Sequence, residues 1–202
     1  MTEEVRLHYD ALIDENNDPF RDPSLLAAYM DKWDGQAFVD LVAPNLRQSV
    51  LEIGVGTGRL AARVAPRCRS LCGIDLSPKT VCRAKENLAA LPNVKIVCGD
   101  FLTYPFAETF DVIYSSLTFM HIREKRQAFE KAAALLKPGG RFVLSIDKNS
   151  ETRLDCGTRV LTLYPDTPQE TEANAAAAGF SLAKQASVAF AYLYVFTVKK
   201  RL

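Results

Sequence analysis

From Leu46 onward, short runs of almost wholly apolar residues alternate with helix-like stretches, and this alternation constrains the chain more than any other feature. SVLEIGV, SLCGIDL, VKIVCGD, FDVIYSSL and RFVLSID read as strands. LAARVAPRC, PKTVCRAKENLAAL and REKRQAFEKAAALLK read as the helices between them, the last stopped by Pro138-Gly139-Gly140. A strand that is apolar on both faces must be covered on both, which parallel strands joined by helical crossovers achieve. After Asp147 come a polar stretch, KNSETRLDCGTR, then VLTLY, a helix over TPQETEANAAAAG, and the runs FSLAKQASVAF and AYLYVFTVKK. So short a break separates those two runs that they should pair antiparallel.

At 202 residues the chain has the length of a single domain. Residues 1–45 differ in character: Glu3, Glu4, Asp10, Asp14, Glu15, Asp18, Asp22, Asp31, Asp34 and Asp40 outnumber the basic residues Arg6, Arg21 and Lys32. They read as an acidic helical cap on the same domain, too short to fold alone. Leu25, Leu26, Tyr29, Met30, Trp33, Phe38, Leu41 and Val42 approximate helical spacing, broken at Gly35, and are expected to bury one face. The cap carboxylates read first as a solvated face. If instead the cap closes over a ligand, Asp10, Asp14, Glu15, Asp18 and Asp22 beside Tyr9, Phe20, Tyr29 and Trp33 would favour a cationic or amine partner.

The 25 Lys and Arg against 24 Asp and Glu leave a net charge of +1, so no global field recruits nucleic acid or an anionic membrane. A small-molecule partner fits that balance; oligomeric state is not legible. The acidic start MTEEVRLHYD is unlike a secretory signal, and no apolar run reaches the length of a membrane span, so a cytoplasmic location is expected. Cys68, Cys72, Cys82 and Cys98 lie in or beside apolar segments and read as buried free thiols. Cys68 and Cys72 could be drawn as half a metal site, but no second pair follows and His8 and His121 are the only histidines, so no metal is expected.

The most informative segment is VLEIGVGTGRL, residues 50–60: an apolar strand carrying Glu52, then Gly54, Gly56 and Gly58, then a helix. Such glycines let the backbone turn tightly and approach a ligand at a helix N-terminus. A dinucleotide fingerprint would place its third glycine at position 59, which is Arg59 here. The next strand ends at Asp75, 75 − 54 = 21 residues after the first glycine, a spacing that suits a carboxylate accepting from both ribose hydroxyls. Capping the following helix falls to Ser77, ahead of Pro78. The third strand ends in Cys98-Gly99-Asp100-Phe101, where a carboxylate can accept from an adenine amino group and an aromatic can pack on its ring.

Taken with the LKPGGRF turn and the closing strand pair, these motifs resemble those of a class I S-adenosylmethionine-dependent methyltransferase, over about Ser49 to Lys199. LEIGVGTGRLA, GIDLSP, YSSLTFMHI and LSIDKN are similar to the small bacterial methyltransferases near the ubiquinone-biosynthesis type. The resemblance implies a doubly wound, Rossmann-like α/β fold. Its sheet would be seven-stranded and mostly parallel, of order 3-2-1-4-5-7-6, with an antiparallel last strand and an N-terminal helical lid. It implies that Glu52 and the Gly54–Gly56 backbone face the methionine part of S-adenosylmethionine, with Gly58 completing the loop. Asp75 would hold the ribose hydroxyls and Leu76 one side of the adenine. Asp100 would reach the adenine amino group beside the Phe101 backbone, and Ser115, just beyond the fourth strand, would line the floor near the sulfonium.

Methyl transfer from a sulfonium chiefly requires positioning and desolvation, so the absence of a catalytic triad is no objection. A base is needed only where the acceptor must lose a proton. His121, after the fourth strand, is a candidate base or a structural histidine opening the next helix; Asp147, at the end of the fifth strand, is a pocket candidate or a turn residue. Tyr9 and Trp33 are the aromatic candidates of the cap. Tyr114-Ser115-Ser116-Leu117 lacks the Asn- or Asp-Pro-Pro-aromatic motif of enzymes that methylate the amino groups of bases or glutamine, and no nucleophilic cysteine for cytosine methylation stands at that edge. The basic run from Arg59 to Lys85 reads as solvated helix surface. Few residues separate Lys148 from Asp166, so the cap should supply much of the pocket. Two other readings stay open: a methyltransferase-like domain that binds the cofactor without turnover, and a nicotinamide-dependent oxidoreductase, disfavoured by Arg59 and the Gly99-Asp100-Phe101 edge.

Overall fold

A computed structural model describes residues 2–198. The cap contributes α1 (Glu3–Asp14), α2 (Ser24–Met30) and α3 (Gly35–Val42). The βα units follow as β1 (Ser49–Ile53), α4 (Ala61–Val64), β2 (Ser70–Asp75), α5 (Pro78–Asn87), β3 (Val94–Cys98), β4 (Phe110–Ser116), α6 (Lys125–Leu135) and β5 (Leu136–Asp147). A small hairpin, β6 (Arg153–Asp155) and β7 (Val160–Thr162), precedes α7 (Pro168–Ala177), β8 (Phe180–Ser187) and β9 (Ala191–Val198). Lys199 and Lys200, expected to end the last strand, lie outside the described residues. No helix among the described residues is long and apolar enough to cross a membrane.

The seven-stranded sheet runs β3-β2-β1-β4-β5-β9-β8. β1 to β5 pair parallel, and β9 lies antiparallel between β5 and β8. This is the expected order, with β6 and β7 standing apart as a separate two-stranded sheet. Strand alternation splits the core into two layers. Val50, Val112, Tyr114 and Val143 face the side covered by α3, α4 and α5, whereas Leu51, Ile113 and Phe142 face Phe129 and Ala132 of α6 and Phe196. Strand order reverses between β1 and β4, so the loops leaving their C-terminal ends diverge and open a crevice.

Local chemistry starts the helices where expected. The Ser77 hydroxyl accepts from the Thr80 amide with Pro78 at the first turn of α5, and Thr167 caps α7 by accepting from the Glu170 amide. The stretch LAARVAPRC gives only four α-helical residues, because Pro66 lacks an N–H, and the chain continues as a 3-10 turn over Ala65–Arg67.

Two expectations about burial need correction. Phe38 and Val42 are fully buried on α3, joined by Val39, but α2 buries no residue and leaves Leu25 at 87% exposure with Leu26 and Tyr29 also exposed. The glycine break makes two short helices with separate environments, so no single apolar face forms. Cys68 and Cys72 are buried, whereas Cys82 and Cys98 are exposed, on the outer side of α5 and at the end of the edge strand β3. The VLTLY run after the polar stretch is buried as its composition suggests: Leu161 and Leu163 pack with Val5 of α1 and with Tyr9, Leu76 and Met120.

The cap carboxylates are fasteners. Asp10 accepts from the Ser77 hydroxyl at 2.6 Å and the Lys79 amide at 3.2 Å, Asp14 pairs with Lys79 at 2.6 Å, and Glu15 pairs with Arg159 beside β7 at 2.5 Å. Asp18 takes the Arg83 guanidinium at 3.1 Å and the Asn87 amide. They tie α1 and its following loop to α5 and the hairpin. Asp10→Ala removes the charged acceptor at the start of α5, and hydrogen bonds to charged groups contribute about 1.5–3 kcal/mol. Amide exchange across α1 should then accelerate about tenfold or more while β1 and β4 keep their protection; unchanged α1 exchange would show that Asp10 does not fasten the helix.

Candidate functional site

The crevice at the β1/β4 switch holds a cavity of about 180 Å³. One wall is the loop after β1. The Gly54 and Val55 amides both donate to the Ile74 carbonyl, and the Gly56 amide donates to Asp75 Oδ2 at 3.0 Å. Gly54 has φ +76°, and a Cβ there would stand 1.9 Å from Thr118 Oγ1, so the loops after β1 and β4 can meet only at a bare α-carbon. Gly56 has φ +55°, and a Cβ there would meet nothing within 4 Å. That open side belongs to the cavity wall, so the peptide there can be approached by a ligand.

Asp75, at the end of β2, also accepts from the Ser77 amide at 3.0 Å. Burial pushes its carboxyl up, and backbone donors from Ser77, Gly56 and Leu76 pull it partly back. Glu52 is buried within β1, and Tyr114 Oη donates to its Oε2 at 2.6 Å. Burial pushes its carboxyl up to about 8; the Tyr114 hydrogen bond and the Arg59 charge oppose that rise, whereas Asp34 and Asp75 add to it. Glu52 is therefore mostly protonated at neutral pH. Between 4.5 and about 8 the folded chain keeps a proton that the unfolded chain has released, so this group lowers stability as pH rises through that window.

Asp34 joins the cap to both loops. It is wholly buried and accepts from Arg59 Nη2 at 2.6 Å, the Ser116 hydroxyl at 2.8 Å and the Gly35 amide at 2.7 Å. The remaining wall comes from the end of β4 and from α1: Ser116, Leu117 and Thr118, then His121 in a 3-10 turn, with Val5 and Tyr9 opposite. Tyr9 Oη lies 2.8 Å from His121 Nε2. Lys125 Nζ fixes this turn by donating to the Phe119 and Tyr164 carbonyls at 2.6 and 2.7 Å while pairing with Asp166.

Of the residues singled out in the sequence, Glu52, Gly54, Gly56, Asp75, Leu76, Tyr9 and His121 line this cavity. Six do not. Gly58 faces Leu88. Ser115 is inside β4 rather than beyond it and donates to the Ile53 carbonyl at 2.9 Å, so the wall begins at Ser116. The Phe101 ring is buried with Phe106 and Phe110 and is not available to an adenine, while Asp100 accepts from the Leu102 amide at 2.9 Å in the turn after β3. Asp147 accepts from the Asn149 amide as a turn residue, and Trp33 packs against Tyr29 and Phe190. None of the five cap carboxylates read as a possible cationic pocket lines it; Asp34 does. The sequence alone gives no site role to Asp34, Thr118, Met30 or Pro19, and presents Arg59 as a missing glycine and the start of a solvated basic run. Thr118 carried the one available signal, an extra hydroxyl just past an apolar strand.

Residues 50–140 match the family of the methyltransferase domain. An uncharacterized methyltransferase of Geobacillus kaustophilus is 34% identical over 140 residues, covering 68% of this chain and 60% of that protein. The chain spans about half to three-fifths of the length of the curated relatives it matches. Among solved structures, the N-methyltransferase NodS of Bradyrhizobium japonicum, in complex with S-adenosylhomocysteine, superposes with a TM-score of 0.70 at 16% identity, over 97% of this chain and 99% of that one. The [4+2]-cyclase SpnF superposes at 0.75 with 18% identity, over 97% and 96%. At such identities these likenesses establish the fold.

The two glycines are separable by substitution. Gly54→Ala should destabilise the fold by about 1–3 kcal/mol through overpacking on Thr118. Gly56→Val should lower stability by about 1–2 kcal/mol, because a β-branched residue is strained at φ +55°, while leaving the chain folded, and should abolish calorimetric binding of S-adenosylhomocysteine, since its side chain enters the cavity; normal binding would remove this loop from the site. If a ligand ammonium docks on Glu52, titration at about pH 7 in buffers of differing ionisation enthalpy should show release of about one proton. No release would mean that Glu52 stays neutral in the complex.

Proposed function

The chain belongs, over residues 50–140, to the methyltransferase domain family and has the class I S-adenosylmethionine-dependent methyltransferase fold, and on that premise we propose that it transfers a methyl group from S-adenosylmethionine to a small-molecule acceptor. The observation that carries this reading is the convergence of Gly56 and Asp75 on one cavity at the switch point of the sheet. The cavity side of Gly56 has room for a ligand where a Cβ would stand, and the Asp75 carboxylate is already oriented by backbone amides.

Within this reading Asp75 accepts from the ribose hydroxyls, and Leu76 packs on the adenine. Asp100, one strand further out, takes the adenine amino group. Asp34 and Glu52 face the amino-acid end, with Arg59 between them to receive its carboxylate. S-adenosylmethionine supplies an activated methyl group on a sulfonium, which departs as a neutral thioether. The chain's part is to orient the acceptor and exclude water; Val5 and Tyr9 of α1 form part of the cavity wall and are backed by Leu161 and Leu163. The acceptor is small because the cavity it shares with the cofactor measures about 180 Å³.

A thermal-shift and calorimetric comparison of S-adenosylmethionine, S-adenosylhomocysteine, NAD and NADP tests the cofactor. The two adenosyl ligands should stabilise the protein; stabilisation by the nicotinamide cofactors alone would overturn the reading. Asp75→Ala should weaken S-adenosylhomocysteine by about 1–3 kcal/mol, roughly ten- to hundredfold, as two hydroxyls lose a charged acceptor. Transfer of labelled methyl into a cell metabolite extract tests turnover. Binding with no label transferred would favour the second reading, a fold put to other use, as in the neighbouring cyclase structure.

A further inference from the structure

We propose that Tyr9 and His121 form a proton relay that takes the hydroxyl proton of the acceptor, and that the acceptor is a neutral molecule presenting a phenol or enol oxygen; this rests on the methyl-transfer reading. Both side chains line the cavity, come from opposite walls, and meet at 2.8 Å. His121 is 2% exposed, and its Nδ1 has no hydrogen-bond partner among the described residues. Burial, with the nearby His8 and Lys125, pushes the imidazole down to about 4, so it is the free base at neutral pH. Burial and the charge of Asp75 push the Tyr9 phenol up. The relay uses the Nδ1–H tautomer of His121, in which Tyr9 donates and Nε2 accepts, and this leaves a Tyr9 Oη lone pair to receive a hydrogen bond from a second hydroxyl.

The rest of the cavity selects the acceptor's charge. Val5, Pro19, Met30 and Leu117 provide apolar surface beside the pair. The lining cation, Arg59, pairs with Asp34 at 2.6 Å and in the methyl-transfer reading also takes the cofactor's carboxylate, so a negative group on the acceptor remote from the reacting oxygen, which itself faces the sulfonium, would be desolvated without a counter-charge. Of the lining acidic groups, Asp34 is engaged by donors from the chain, and in the methyl-transfer reading Asp75 and Glu52 are taken by the cofactor's ribose and amino-acid end, which leaves an ammonium acceptor unsupported as well. A weakly basic imidazole suits an acidic hydroxyl better than an aliphatic one.

The step balances without a further reactant. An electron pair of the acceptor oxygen forms the new bond to the methyl carbon as the carbon–sulfur bond breaks and leaves its pair on sulfur. The acceptor proton passes to Tyr9 Oη as the Tyr9 proton passes to His121 Nε2. The positive charge that leaves sulfur reappears on the imidazole, which later releases the proton to solvent. The net charge of the closed site is unchanged through the transfer.

The test uses full-length wild type, Tyr9→Phe and His121→Gln, with phenol and para-nitrophenol as probes. Para-nitrophenol is largely ionised at about pH 8 and needs no base, whereas phenol keeps its proton. Methylation of phenol by labelled S-adenosylmethionine should fall about a hundredfold or more in both variants, and methylation of para-nitrophenol only a fewfold. S-adenosylhomocysteine affinity should stay near wild type. Phenol binding to the S-adenosylhomocysteine complex, followed by NMR, should weaken in Tyr9→Phe and hold in His121→Gln. Equal losses on both probes, or no loss on phenol, would overturn the relay. Methylation of neither probe by a wild type that binds S-adenosylhomocysteine would overturn the hydroxyl assignment and leave the cofactor reading standing; absence of that binding would strike the cofactor reading itself.

Discussion

The close contact between Gly54 and Thr118 sets the geometry of everything around the cavity. Two adjacent parallel strands, β1 and β4, send their chains in opposite directions at their C-terminal ends, and the two loops touch where one of them has no side chain. A methyl group at Gly54 would force them apart. With them together, the Gly56 amide reaches Asp75 on one side, and the turn carrying His121 is held against α1 on the other. The Lys125 anchor then fixes that turn from behind, through two carbonyls and Asp166.

Charge in the crevice is expensive, and the chain offsets that cost with internal partners. On the buried Asp34 a guanidinium, a hydroxyl and an amide converge, and removal of one member of a buried pair typically costs about 3–5 kcal/mol. Among the described residues Glu52 has only a phenol as its hydrogen-bond donor, and it responds by holding its proton. His121 loses its proton for the same reason with the opposite sign. The result is a cavity whose acceptor wall is neutral and whose charged wall is internally paired, which suits a cationic cofactor beside an uncharged partner.

Apolar runs were enough to read the strands as a mostly parallel sheet, since a strand apolar on both faces has few alternatives, and the closing pair is marked by its short break; the order of the strands came only with the resemblance to the methyltransferase family. Glu52, Gly56 and Asp75 were legible because a loop that approaches a ligand must be bare and a strand end must carry the polar group. What failed were questions of one residue or of long range. Ser115 and Ser116 are indistinguishable until the end of β4 is known, and the pleat then sends one to the Ile53 carbonyl and the other to Asp34. Nothing near Asp34 announces its partner, which is 25 residues away. Phe101 looked like an adenine platform, but the turn after β3 directs its ring into the core. The cap carboxylates looked like solvated surface or a cationic pocket, and instead fasten α1 to α5 and the hairpin.

A crystal structure of the protein soaked or co-crystallised with S-adenosylhomocysteine tests the central claim most directly. The account predicts ligand density between Gly56 and Leu76, with both ribose hydroxyls within hydrogen-bond reach of Asp75 and the sulfur facing the wall formed by Leu117, Thr118 and His121. Density outside the β1/β4 crevice, or a ribose that leaves Asp75 bonded only to the chain's own amides, would contradict it.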